Sequence, residues 1–282
     1  MKRLMMAVVA AFASACAFGD IAGYIEGTVL TVPAGETVTA GADDAATVGT
    51  LTQVVFADAK GAFEMKDGTF AFAAAVSGAG TVKATDAAGL TVSGDSRGFT
   101  GGWDFNNSPV IVASRYGLGD ANTTAAISRA STDSKGSSPG AGFYWLTFEG
   151  AGLENDVPLT LYGCHALTKP GAGAFVQNSL VTLNSMAGSG QMYIDLYVNS
   201  DWTIKEGFWL DDKLNKWPRP YVACGSTLTT KFLHAKGRTI YIYSQGTNGE
   251  GTLVLTDVGS DWGTLHIGQR ICLRTEADEA LG

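Results

Sequence analysis

The sequence predicts an all-β protein in which short strands stack on copies of themselves as a solenoid. Three observations carry that expectation. From Ser77 to Gly119 the chain reads SGAGTVKATDAAGLTVSGDSRGFTGGWDFNNSPVIVASRYGLG, with extended runs at Thr81–Ala84, Leu90–Ser93 and Val110–Ala113. Gly78, Gly80, Gly89, Gly94, Gly98, Gly101 and Gly102 cut them apart. Glycine at that density is expected to supply positive-φ corners. A unit of strands this short buries no core unless it stacks on further units. Second, Gly249–Gly282 repeats the order with looser identity. Phe99-Thr100-Gly101-Gly102-Trp103 falls opposite Asp261-Trp262-Gly263-Thr264-Leu265, and Gly117-Leu118-Gly119 opposite Ala280-Leu281-Gly282. Third, 37 of 282 residues are glycine, 16% are charged and 45% are hydrophobic, which fits turn-rich β structure with enough apolar surface for a core.

The succession SGAGTV, GLTVSGD, GFTGGW, PVIVAS and GLG resembles the passenger-associated transport repeat of bacterial autotransporters. The resemblance is close over Ser77–Gly119, fair over Gly249–Gly282 and compositional elsewhere. It departs at Gly101-Gly102-Trp103, where the repeat has Gly-Gly-Thr, and at Ser108-Pro109-Val110, where it has Gly-Thr-Leu. It implies a right-handed parallel β-helix displayed outside a bacterial cell, with an outer-membrane translocation barrel that is either encoded downstream or absent. The chain stops at Ala280-Leu281-Gly282, where the resembled repeat goes on to another strand, so the sequence is expected to end inside a repeat.

The N-terminus agrees with export. Lys2 and Arg3 precede the apolar run Leu4–Ala13 and then Ala15-Cys16-Ala17. A basic start, a short apolar core and a small-x-small site form a secretory signal peptide, residues 1–17, with cleavage expected after Ala17. The apolar run is too short to span a bilayer. Lipidation of Cys16 is the rival reading, disfavoured because Ala13 stands where such signals carry a large aliphatic residue.

The remaining elements follow in order. Residues 18–119 are expected to hold an N-terminal cap, near 18–35, and the first rungs. Gly27–Val32, Thr37–Ala40, Leu51–Phe56 and Gly68–Ala75 alternate or run apolar as strands. Asp120–Gly142 is small and polar and reads as a long loop or linker. Residues 143–282 are expected to be further rungs, with strands at Phe143–Gly150, Asp156–Gly163, Ser179–Ser185, Gln191–Ser200, Tyr221–Phe232 and Thr239–Ser244. Met192–Asn199 shows strict two-residue alternation. Phe208–Pro220, FWLDDKLNKWPRP, reads as an irregular loop because of its two prolines and its charges.

Residues able to carry chemistry are few. Gly94-Asp95-Ser96-Arg97-Gly98 fits a nucleophile elbow, but no helix follows Ser96, and a repeat corner explains the same glycines. The candidate ligand-binding residues are Trp209, Asp211, Asp212 and Trp217, with Glu206 and Lys213 nearby. An aromatic ring can cover a sugar face while carboxylates hold its hydroxyls. Against that, adjacent aspartates on an extended segment face apart. Asp43 and Asp44 lack calcium-loop spacing, and His165, His234 and His266 stand apart from one another. Core or corner packing accounts for most of the tryptophans. Cys164, Cys224 and Cys272 form no Cys-x-x-Cys pair, so a zinc ribbon is not supported; one disulfide with a spare thiol and buried free thiols both remain open.

The formal charge is −8, and −10 once the two cations Lys2 and Arg3 leave with the signal. That balance argues against nucleic acid and anionic membranes. The expected protein is therefore a secreted or cell-surface repeat protein with a structural or adhesive role, no catalysis and no cofactor. Its expected partner is a host or environmental surface or a polysaccharide. The alternatives are a carbohydrate-active β-helix, with a groove near Phe208–Pro220, and a sugar-binding β-sandwich over Phe143–Ser244.

Overall fold

Runs such as Thr81-Val82-Lys83-Ala84-Thr85 place every second residue on one side of an extended backbone, and Val82 and Ala84 are fully buried. The computed structural model shows where such runs go. It describes residues 21–128, 146–149, 153–162, 166–168, 174–184, 194–198, 201–210, 218–223, 225–231, 233–234, 239–245, 250–256, 264–267 and 271–275. They wind as a right-handed parallel β-helix.

Two sheets run the length of the winding, each nine strands deep. The first begins with Thr37–Ala40, Ala62–Lys66, Thr81–Thr85, Gly102–Asn106 and Thr124–Ser128, and ends at Leu233–His234. The second begins with Thr69–Phe72, Gly89–Val92, Val110–Val112 and Leu146–Phe148, and ends at Thr264–Ile267. A third face carries a four-stranded sheet near the N-terminal end, through Val29–Val32, Gln53–Phe56 and Ala75–Ser77. Towards the C-terminal end it carries a six-stranded sheet that starts at Glu154–Asn155. Between the two, the face narrows to a single bridge, Gly78 to Phe99, extended by the Thr123 hydroxyl donating to the Phe99 carbonyl at 2.7 Å.

Thr81, Gly102 and Thr124 share one register position, so a coil here takes about 21 residues. The stretch Ser77–Gly119 is therefore two coils and not one unit. Gly102–Asn106 is a strand where the sequence suggested an aromatic-glycine turn, because Trp103 and Phe105 supply the alternating buried positions. Thr124–Ser128 opens the stretch read as a loop from Asp120 to Gly142; its small residues still alternate, with Ala125 and Ile127 buried. Phe208–Leu210 and Pro218–Ala223 are strands, so both ends of the loop expected over Phe208–Pro220 are regular; residues 211–217 lie outside the described residues. Pro218–Ala223 pairs with the preceding coil from Pro218 onward and with the following coil from Tyr221 onward. The run Tyr221–Phe232 divides between two faces, as Pro218–Ala223 and Thr227–Thr230.

The glycines act differently from the expectation too. Of the seven that punctuate Ser77–Gly119, only Gly78 has a positive φ, 95°. The corners from the first sheet to the second are turned by Asp67, Asp86 and Asn107, at φ 58°, 52° and 51° in successive coils. Asn and Asp tolerate the left-handed region, and Asn107 Nδ2 donates to Asp86 Oδ1 at 2.6 Å. Gly61, Gly80 and Gly101 instead form a column where coils touch backbone to backbone: Thr81 N donates to Gly61 O at 3.0 Å and Gly102 N to Gly80 O at 3.1 Å.

Inside, volumes compensate from coil to coil. In the first sheet one register position runs Val38, Phe63, Val82, Trp103, Ala125, Leu159, large against small. Where that sheet carries Trp103 and Phe105, the second carries Val110 and Val112 in the same coil. Trp103 packs against Phe72, Phe99 and Phe105 with ring centroids 5.6–6.1 Å apart, and its Nε1 donates to Leu118 O at 2.8 Å. The N-terminal edges are covered. Ile25–Glu26 pairs antiparallel with Val29–Val32, the turn Ile21–Tyr24 lies over Thr37–Ala40, and the short helix Ala45–Thr50 packs on Thr69–Phe72.

Candidate ligand-binding face

On the third face, Glu154–Asn155, Phe175–Gln177, Trp202–Ile204, Thr227–Thr230 and Gly251–Leu255 stack in parallel. Alternation buries Phe175, Gln177, Trp202, Ile204, Leu228 and Thr230. Glu154, Val176, Thr203 and Thr229 form a half-buried outer row. A second row follows one residue past each strand pair: Asp156, Asn178, Lys205, Lys231 and Thr256. Its backbone bonds continue the ladder, from Lys205 N to Gln177 O at 2.9 Å, Lys231 N to Ile204 O at 3.4 Å and Thr256 N to Thr230 O at 3.0 Å.

Beneath the start of this face lies a buried amide pair. Asn155 Nδ2 donates to Gln177 Oε1 at 2.8 Å, and Gln177 Nε2 donates to Val157 O at 2.8 Å, both side chains being fully buried. Such pairs hold neighbouring strands in register, because a slip would leave both amides unpaired. Asn155 Oδ1 and Trp202 Nε1 find no hydrogen-bond partner among the described residues.

At the acidic end of the face two carboxylates share one arginine. Arg115 reaches Glu154 at 3.0 Å and Asp156 at 3.3 Å, and its guanidinium pKa is raised, chiefly by the hydrogen bond to Asp156. Asn178 Nδ2 donates to Glu154 Oε2 at 3.1 Å and also to Asp156. The Ser179 hydroxyl donates to the Asp156 carbonyl. The Tyr116 ring lies between Arg97, 4.6 Å from its centroid, and Arg115, at 5.2 Å. Arg97 in turn pairs with Asp95 and holds that carboxyl below its ordinary value. The two carboxylates thus share one guanidinium and one amide.

The basic end is different. Thr203, Ile204, Lys205, Thr229, Thr230, Lys231 and Thr256 line a shallow depression of about 440 Å³. Lys205 and Lys231 are both exposed and sit one coil apart. Lys231 Nζ stands 4.0 Å from Glu206 Oε2, and Lys205 pairs with no acid among the described residues.

Of the residues singled out from the sequence, Glu206 stands beside Lys231 on this face. Trp209 lies in the strand Phe208–Leu210 of the first sheet, in register with Thr182 and His234. Asp211, Asp212 and Trp217 lie outside the described residues, as do Cys164, Cys224 and His165. Ser96 is fully buried, with its hydroxyl accepting from Val76 N at 3.3 Å, a corner clasp between coils and not an elbow. Asp44 accepts from Gly41 N at 2.9 Å within a turn. Among the described residues no group of three or more His, Cys, Asp or Glu could hold a metal. The signal for the face was a spaced triplet: Glu154-Asn155-Asp156, Val176-Gln177-Asn178, Thr203-Ile204-Lys205 and Thr229-Thr230-Lys231.

No protein-family profile, no curated protein and no solved structure matches this chain.

Proposed function

We propose that this chain is an exported β-helical repeat protein that serves outside the cell as a stiff structural or adhesive surface, without catalysis of its own. The observation that supports this reading best is the pair of parallel ladders, each nine strands deep. At about 4.8 Å per strand they amount to a rod about 40 Å long. Each coil is bonded to the next through its backbone and filled by interlocking aromatic and small side chains, so bending it means breaking several bonds at once. The signal-peptide pattern of residues 1–17 and the passenger-repeat motifs of Ser77–Gly119 support the address. A coil that adds onto the previous edge also suits folding from one end after export in an unfolded state.

The test is direct. The full chain, with a C-terminal tag, is expressed in a Gram-negative bacterium, and the product is fractionated and its N-terminus read by mass spectrometry. Processing at Ala17–Phe18 and recovery in the periplasm or medium are expected, along with a trypsin-resistant body. A chain retained in the cytoplasm with Met1 intact would refute the export half of the proposal.

A further inference from the structure

We infer that the depression on the third face, centred on Lys205 and Lys231, binds an acidic polysaccharide. The two ammonium groups belong to one register row, a coil apart at about 4.8 Å along the backbone. Neighbouring like charges repel, and an acid-rich chain passing between them relieves that repulsion. The protein as a whole is acidic, at −8, so a local pair of cations is set against the general charge. Along the same face Glu154 and Asp156 share Arg115, and Glu206 stands 4.0 Å from Lys231 Nζ, so Lys205 is the cation in excess at the depression.

The surroundings choose among anions. Lys205 N, Lys231 N and Thr256 N all donate to the preceding coil, so these three N–H groups are not free to cradle a compact phosphate. What remains are side-chain donors in rows, the hydroxyls of Thr203, Thr229 and Thr256 beside the two lysines. Rows of hydroxyls and cations running along the axis match a linear polymer that repeats hydroxyls and carboxylates. Among the described residues the lining carries no aromatic ring on which a nucleic-acid base could stack. Binding is expected to be salt-sensitive, since both lysines are exposed. The inference deepens the adhesive reading and takes its biological meaning from it. Binding is measured on purified protein, so a failed export experiment leaves it standing and a failed binding experiment leaves the export proposal standing.

The experiment is calorimetric titration of the purified full chain with polygalacturonate, alongside neutral dextran, inorganic phosphate and single-stranded DNA. Saturable binding of polygalacturonate that weakens with salt is expected, with none for dextran. Lys205→Gln/Lys231→Gln should bind about tenfold more weakly, while Lys60→Gln/Lys83→Gln, at distant exposed and half-buried sites, should bind like the parent. Circular dichroism melts of both double variants confirm that each is folded. Absence of polygalacturonate binding overturns the inference, and so does an equal loss in the two variants. Inorganic phosphate competing as well as the polymer would overturn the polysaccharide assignment in favour of a small anion. DNA binding of equal strength would overturn it in favour of a general polyanion surface.

Discussion

The glycine column offers the sharpest test of how the coils are held together. A Cβ placed on Gly101 would overlap the Gly80 carbonyl oxygen and come within 2.8 Å of the Ala79 carbonyl carbon. Both are backbone atoms of the preceding coil, so no side chain can swing aside. Gly101→Ala must push the coils apart, and in doing so it strains the Gly102 N to Gly80 O bond, now 3.1 Å. Overpacking costs about 1–3 kcal/mol and a buried unpaired peptide group about 1–3 more, so a loss of about 2–6 kcal/mol is expected. For a chain of this size that is a fall in Tm of at least roughly 4 °C. Gly98, three residues earlier in the same turn, supplies the control: its Cβ would meet nothing closer than Ser77 Cβ at 3.9 Å, and it has no positive φ. Gly98→Ala should be neutral or stabilising by up to about 1 kcal/mol, because alanine narrows the unfolded ensemble. Thermal melts by circular dichroism read both, and amide exchange should show Gly101→Ala loosening residues 78–81 and 99–102 first. If the two variants melt together, glycine is there for flexibility and the close-approach argument fails.

Other consequences can be measured on the same material. Trp103→Phe should lose about 1–3 kcal/mol in guanidinium unfolding, because it leaves the buried Leu118 carbonyl without its 2.8 Å donor; Trp103→Ala should lose about 3–5 kcal/mol. Asn107→Val puts a β-branched residue at φ 51° and should lose about 1–2 kcal/mol in a thermal melt, whereas Asn107→Gly should come closer to the parent. Ser96 should resist labelling by a fluorophosphonate in the native protein, since it is fully buried and its hydroxyl is engaged by Val76 N. The Asp58 carboxylate accepts from Gly35 N at 3.0 Å, and from Lys60 N and Gly61 N, which lowers its pKa. A depressed folded pKa means the stabilisation is present above the unfolded value, about 4, and is lost as pH falls through the folded one. NMR titration should place Asp58 below an ordinary aspartate, and Asp58→Asn should flatten that part of the acid unfolding curve.

Much of the fold was legible because strand patterning is local. Thr37–Ala40 is a strand over the residues its alternation indicates, Gly27–Val32, Leu51–Phe56 and Val110–Ala113 each contain one, and Leu90–Ser93 overlaps the strand Gly89–Val92. Stacking also followed from the sequence, since strands of three to five residues have no other way to bury their inner faces. What stayed hidden depends on neighbours a coil away. Gly102-Trp103 looked like a turn because glycine and tryptophan together suggest a corner, yet Gly102 starts a strand between Thr81 and Thr124. Thr124–Ser128 looked like loop because its buried residues, Ala125 and Ile127, are modest in size; they are small because Trp103 precedes Ala125 in the stack. The positive-φ corners at Asp67, Asp86 and Asn107 each follow the last residue of a first-sheet strand, a position that becomes visible only when the strands are aligned coil on coil.

The same reasoning explains why the third face escaped a reading that searched for adjacent chemistry. In a solenoid, residues side by side in sequence point to opposite sides, while residues a whole coil apart stand side by side in space. Asp211 and Asp212 drew notice by adjacency, which on an extended strand would separate them. Lys205 and Lys231 lie in different coils and drew none, yet Ile204 pairs with Thr230 and so sets the two lysines in one row. Arg115 similarly meets Glu154 and Asp156, some forty residues on in sequence, because Val112 pairs with Phe148 and sets the two coils side by side. Coil length is thus the quantity that converts this sequence into a surface. A charge, hydroxyl or ring matters here through its register position, and the face carrying Thr203, Lys205, Thr229 and Lys231 is where register assembles cations and hydroxyls that the linear order keeps apart.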